Sequence, residues 1–316
     1  MIPVFTDGQP VIPFVAELDR VLLALRAREA GAWPDLSKGC RTITIFSDYG
    51  GESPEATHAT YTFLCVPYET LGVFFAEAKA IRERHGLVEP YKEVALKDLH
   101  YGPLSRSVKD WLGLIAHFPG LLFTLQVDRR LSSIFVGNDR GSMNEIGAIL
   151  GELGYDAWKG AVAEKLLRIV HTVAYLAAAL SVEGQRLFWM THEDAIVGND
   201  RAFTGARVLL GRVLDAYAPG RFERVLVSKG LRDVHRVAKY DDLVGLADLV
   251  GGSVERFALY RSGGLPRGVK DGVNEVLLWL CDRTTALKKL VFSVRPSCGG
   301  AIEVGSVRLE PLRARG

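Results

Sequence analysis

"TITIFSDYGGES" runs from Thr42 to Ser53. Its first five residues, Thr42, Ile43, Thr44, Ile45 and Phe46, are β-branched or aromatic with no breaker among them, which predicts a strand. One acid, Asp48, comes at the tip of that strand, and Gly50 and Gly51 follow at once. A buried strand that delivers a carboxylate to its tip and then turns away needs a reason. An acid is almost never fully buried unless it is paired or binds a metal.

The flanking segments extend the pattern. "ATYTFLCVPY" (59–68) predicts a second strand, joined to the first by a short polar loop containing Pro54, so the two form an antiparallel pair. Strands are also predicted at Leu121–Val127, at Leu187–Met190 within "QRLFWMTHEDAIVGND" and in "RFERVLVSKG". "KKLVFSVRP" and "AIEVGSVRLEP" predict a closing hairpin. Helices are predicted over 12–30, with Val15, Leu18, Val21, Leu22 and Leu25 at helical spacing, and over 70–85, with a C-cap at His85-Gly86. Further helices are predicted over 104–117, 201–216 and 271–287 and in "DDLVGLADLVGGSVERFALY". The long, nearly all-apolar stretch 156–182 predicts a central buried helix. "YKEVALKDL" (91–99) fits no single element.

Early paired strands followed by strand–helix alternation give an α/β class: one mixed sheet with helices on its faces. Three segments follow: an N-terminal helical extension (1–39), a core (40–262) and a C-terminal helix and hairpin (263–316).

The 316 residues are 48% hydrophobic and carry a net charge of +2. That balance excludes a strongly basic nucleic-acid binder but leaves room for a local basic groove. Cys40, Cys65, Cys281 and Cys298 form no CxxC pair, so reduced thiols are expected and a cysteine zinc site is not. "MIPVFTDGQP" has neither the basic start nor the apolar core of a signal peptide. Ile169–Leu180 is too short to span a bilayer. A soluble cytoplasmic protein without a membrane partner is expected; nothing in the sequence sets its oligomeric state.

Three acids interrupt apolar elements: Asp48 after Thr42–Phe46, Asp194 after Leu187–Met190, and Asp248 within "LVGLADLVGG". Each has an ordinary reading taken alone. Asp48 can be a turn residue, Asp194 a helix cap, and Asp248 half of a salt bridge with Arg256 or Lys239. Brought together, the carboxylates repel one another, and a divalent cation would offset that. Oxygen donors suit hard cations, and two such ions about 3.5–4 Å apart could clamp a phosphate.

Taken together, the segments resemble the RNase H-like domain-of-unknown-function family numbered 3800, over about residues 40–260. "SDYGG" (47–51) stands where that family has an Asp-Glu-Ser-Gly-like turn. "FWMTHED" (188–194) resembles its later strand and acid, and "LVGLADLVGG" (243–252) its closing Leu-Gln-x-Ala-Asp-Leu-x-Ala-Gly helix. "ALKDL" (95–99) aligns with a Glu-x-Lys motif, but Ala95 occupies the Glu position. Glu93, two residues earlier, and Asp98 are the candidates to replace it. Gly245 stands where Gln is usual, and His192 where a second acid is expected. The resemblance implies an RNase H-like sheet and a site of Asp48, Glu93, Asp194 and Asp248 holding Mg²⁺ or Mn²⁺. Lys97 would orient a phosphate or the attacking water, and His192 would donate a proton or bind metal. It implies a metal-dependent nuclease acting on DNA or RNA. The alternatives are an inactive scaffold that binds nucleic acid or a partner protein, and a small-molecule phosphohydrolase.

Other candidates have plain readings as well. His171 lies in the apolar helix and reads as a core histidine, and His100 as a loop residue. "RERHG" (82–86) and "DRRLSS" (128–133) could track phosphates or be solvated faces. "GNDRGS" (137–142) lacks P-loop spacing.

Overall fold

The computed structural model describes residues 5–6, 9–10, 12–29, 31–88, 92–135, 142–155, 158–230, 240–263, 271–297 and 302–309. "GNDRGS" lies almost wholly outside these residues, as do Cys298 and Lys239. The elements are β1 (Phe5–Thr6), β2 (Gln9–Pro10), α1 (Pro13–Arg28), β3 (Thr42–Gly50), β4 (His58–Pro67), α2 (Leu71–His85), α3 (Gly102–Ala116) and β5 (Gly120–Asp128). They continue with α4 (Ser142–Glu152), α5 (Gly160–Leu180), β6 (Gln185–Thr191), α6 (Asp200–Tyr217) and β7 (Phe222–Lys229). The last are α7 (Asp241–Arg261), α8 (Asp271–Cys281), β8 (Leu287–Pro296) and β9 (Ile302–Ser306). Short 3₁₀ turns span Tyr68–Thr70 and Leu96–His100.

Seven strands form one mixed sheet in the order β7-β6-β3-β4-β5-β8-β9. Within its first five strands β4 alone is antiparallel to its neighbours, while β6 and β7 run parallel to β3. This is an α/β fold: one mixed seven-stranded sheet flanked by helices. β5 is buried at every position, as a central strand covered on both faces must be. β8 and β9 continue the same sheet beyond β5, and α1 lies against β9. The N-terminal helix and C-terminal hairpin thus extend the core rather than standing apart from it.

Alternation along the strands sorts the two faces. Ile43 and Ile45 on β3 join Phe63, Phe123 and Trp189 in a core closed by α1, α4, α5 and α6. Phe46, Leu64, Leu122 and Met190 join the opposite core, closed by α2, α3, α7 and α8. Asp48 has the parity of Phe46, so it faces α7. Both cores are dense with aromatic pairs, such as Phe123 stacked on Phe292 at 5.3 Å.

The structure departs from several sequence expectations. The first strand runs on from Phe46 to Gly50, so Asp48 lies inside the ladder, opposite Thr62, rather than beyond its end. Residues 92–95 form no regular element, and the 3₁₀ turn follows them. Helix α4 went unpredicted. Among the described residues, no helix is long and apolar enough to cross a membrane.

Candidate active site

The site is built where β3, β6 and α7 meet. Gly51 takes a left-handed φ of 82°, and a Cβ there would sit 2.1 Å from the His58 carbonyl oxygen. Glycine is therefore needed for the chain to leave β3 and return as β4. The tip is braced by a hydroxyl network. Trp189 Nε1 donates to Ser47 Oγ at 2.9 Å, and the Tyr49 hydroxyl lies 2.7 Å from Ser47 Oγ and 2.8 Å from Thr191 Oγ1.

Helix α7 comes unusually close to the chain at 94–96. A Cβ on Gly245 would lie 2.0 Å from the Val94 carbonyl oxygen, and one on Gly252 would lie 2.1 Å from Leu96 Cδ2. Glycine at 245 therefore has a steric reason. Asp248, between these glycines, accepts a hydrogen bond from the Leu96 N–H at 2.7 Å. Arg256, one of its two ordinary candidate partners, acts on Glu255. Arg82 locks the same region. It is buried, donates to Asp242 of α7 at 3.1 Å from Nε, and donates from Nη1 to Leu87 O and Lys92 O. "RERHG" is thus a structural run, with Arg84 and His85 both engaging Asp110.

Asp48 is 8% exposed. Burial pushes its carboxyl well above the usual range, and the charge of Asp248 pushes it further. Lys165 pulls it back, while Asp194 and Glu93 add to the rise. Asp248 is raised as well, first by burial and also by Glu93, while the Leu96 N–H, His192 and Lys97 lower it. All four acids, with Lys97 and His192, therefore fall within one electrostatic neighbourhood. His192 Nδ1 lies 3.6 Å from Asp48 Oδ1. Asp194 caps the turn after β6 through the Ile196 N–H and holds Lys165 at 2.7 Å. Glu93 pairs with Lys97 at 3.1 Å at the solvent side.

Two members of the site, Lys165 and Glu255, were not singled out in the sequence. Lys165 rises from α5, pairs with both Glu52 and Asp194, and lies 5.5 Å from the centroid of the Tyr49 ring. Its signal was a lysine in the opening turns of a largely apolar helix, beside Glu164 and Arg168, which pair with each other instead. Glu255 lies seven residues after Asp248 and so returns to the same helical face; it accepts from the Gly51 N–H, and burial raises its carboxyl. Other histidines stand elsewhere. His171 is buried against the Tyr217 hydroxyl at 3.0 Å, and His100 is exposed and bonds Lys97 O. Asp98 lies in the first turn of the 3₁₀ segment.

The donor set fits a divalent cation in chemistry. It is made of carboxylate oxygens, and the two most buried, on Asp48 and Asp248, are short of positive charge. It is not a closed cage: among the described residues, no three His, Cys, Asp or Glu side chains stand together tightly enough to hold one ion. Asp194 and Glu93 are each held by a lysine instead. Comparison with protein-family models, curated proteins and solved structures finds no match to the chain.

Proposed function

We propose that the protein is a metal-dependent nuclease, hydrolysing phosphodiesters at the Asp48–Asp248 cluster. The observation that carries this reading is the pair itself. Two largely desolvated carboxylates from different elements share one neighbourhood: burial raises the proton affinity of both, and the charge of Asp248 raises that of Asp48 further. Such perturbation concentrates at functional sites, because a fold gains nothing in stability from mutual repulsion. Asp48 and Asp248 would hold Mg²⁺ or Mn²⁺, with Asp194 and Glu93 as the further oxygen donors. A bound ion would supply Lewis acidity toward the phosphate and a nucleophile active at neutral pH.

The chain's own residues do the rest. His192, exposed beside Asp48, can give a proton to the leaving oxygen. Lys97 and Lys165 offer ammonium groups to the negative charge of the phosphate. The Trp189–Ser47–Tyr49–Thr191 network holds the strand tip rigid, so that Asp48 keeps its position. The buried free thiols of Cys40 and Cys65 suit a reducing cytoplasm.

A second reading has one observation in its favour. Lys165 already neutralises Asp194, which suits a scaffold that binds nucleic acid, or a partner protein, without cleaving it. The test compares wild type with Asp48→Asn on labelled DNA and RNA in Mn²⁺. Cleavage by wild type alone supports the nuclease. Equal cleavage by both would move the activity away from Asp48, and no cleavage on any substrate would favour the scaffold.

A further inference from the structure

Helix α7 continues past the acid cluster into a second feature. After Asp248 it presents Glu255 and then Phe257 and Arg261, which line a cleft of about 750 Å³. The opposite wall brings His58, Arg129 and Arg130 from the ends of β4 and β5 and Arg295 from β8. These residues are at the same end of the sheet as Asp48, because His58 begins β4 and β5 and β8 run parallel to β3's direction. Four guanidinium groups thus line the cleft against one carboxylate, Asp128.

The charges are disposed unevenly. Arg130 grips Asp128 at 2.6 Å, and Arg295 pairs with Glu303 at 2.7 Å. Arg129 donates to the Ala56 carbonyl oxygen at 3.1 Å, and Arg261 lies 6.0 Å from the Phe257 ring centroid. Among the described residues, neither of these last two has a carboxylate at salt-bridge distance. Glu255 senses Asp248 on one side and Arg129 on the other, so cluster and cleft are electrostatically continuous. At about 1.5 Å per residue the helix carries this surface roughly 20 Å from Asp248 to Arg261. One strand of a duplex bears a charge about every 3.4 Å, so the run matches on the order of six phosphates.

The geometry points to this arginine cleft as the track for a polynucleotide backbone that leads to the Asp48–Asp248 cluster, with Phe257 and Arg261 as a platform for a stacked base. Guanidiniums contact the phosphates without reading sequence, and aromatic and guanidinium planes receive bases of any kind. The inference rests on the nuclease reading and supplies its substrate class: an extended nucleic acid rather than a small phosphate ester.

The test is fluorescence anisotropy in EDTA, with labelled single-stranded DNA and RNA of about 20 nucleotides, across roughly 50 to 200 mM salt. Arg261→Gln/Arg295→Gln alters two exposed side chains and is expected to leave the melting temperature close to that of wild type, because an exposed pair such as Arg295–Glu303 contributes little. The double variant is expected to bind about tenfold more weakly, with a salt slope smaller by about two. Arg20→Gln, on α1, is expected to bind as wild type does. A double variant with wild-type affinity and slope would overturn the inference, as would a wild type that binds neither oligonucleotide. The nuclease reading fails separately. Cleft-dependent binding without cleavage in Mn²⁺ removes the nuclease and keeps the cleft. Cleavage lost in Asp48→Asn, with binding indifferent to Arg261 and Arg295, does the reverse.

Discussion

Lys165 Nζ lies 2.7 Å from Asp194 Oδ2, although the lysine belongs to a helix on the face of the sheet away from Asp48. Its ammonium lies 5.5 Å from the centroid of the Tyr49 ring, beside the carboxylates at the end of β3 and β6. The cluster therefore contains a cation of its own. Lys165→Met removes it and leaves Asp194 and Asp48 without that charge. Breaking a buried pair costs about 3–5 kcal/mol, so without metal the variant is expected to melt at least roughly 5 °C lower. Mn²⁺ should then raise its melting temperature by more than it raises that of wild type. Equal shifts in differential scanning fluorimetry would mean that the lysine and the ion do not compete.

Asp48→Asn acts in the opposite direction on stability. The carboxyl keeps its proton in the folded state at pH values where the unfolded chain has lost it. Stability contributed by this group is present at low pH and is lost as pH rises from about 4 through its raised folded value. The amide carries no charge at either end of that window. Asp48→Asn is expected to melt higher than wild type at pH 8 without metal, with a difference that shrinks toward pH 4. A wild-type profile flat over this range, identical to the variant's, would contradict it.

Gly245→Ala tests the close approach of α7. The added methyl would meet the Val94 carbonyl oxygen at 2.0 Å, and backbone has to move to admit it. Overpacking of this kind costs roughly 1–3 kcal/mol. The expected result is a lower urea midpoint together with weaker Mn²⁺ binding, because the displaced segment carries Glu93 and the Leu96 N–H that holds Asp248. Wild-type values for both would show that the segment yields freely.

His171 sets a separate acid limit. Burial holds its imidazole down to about 3, whereas in the unfolded chain it titrates near 6.5. The unfolded state therefore binds the extra proton between these values, and stability falls as pH drops from about 6.5 toward 3. The slope is on the order of 1 kcal/mol per pH unit. His171→Phe should flatten that part of the profile in chemical denaturation measured from pH 7 to pH 4. An unchanged acid slope in the variant would assign the loss to other groups.

Much of the fold was legible because strands and helices here obey local rules. Thr42–Phe46 is β-branched and aromatic, Pro67 ends β4, and Gly86 adopts the left-handed C-cap that "RHG" predicts. The pairing of Phe46 with the α7 face and Ile45 with the α5 face follows from a period of two alone. The irregular stretch before Leu96 was not legible, because its conformation is held from a distance. Arg82 binds the Leu87 and Lys92 carbonyls at its beginning, and Asp248 takes the first N–H of the 3₁₀ turn at its end.

The sequence by itself determined which residues could form a site: Asp48 at a strand tip, Asp194 after β6, Asp248 on an otherwise apolar helix. An isolated acid in an apolar run is visible one residue at a time. Tertiary structure alone decided what surrounds them, since Coulomb interactions depend on distance through space and not along the chain. It brought Lys165 from α5 across the end of the sheet, left Glu93 paired with Lys97, and set Arg129, Arg261 and Arg295 around one cleft. Those residues are 132 and 34 positions apart in sequence, and only the packing of α7 on the sheet and the pairing of β5 with β8 make them neighbours.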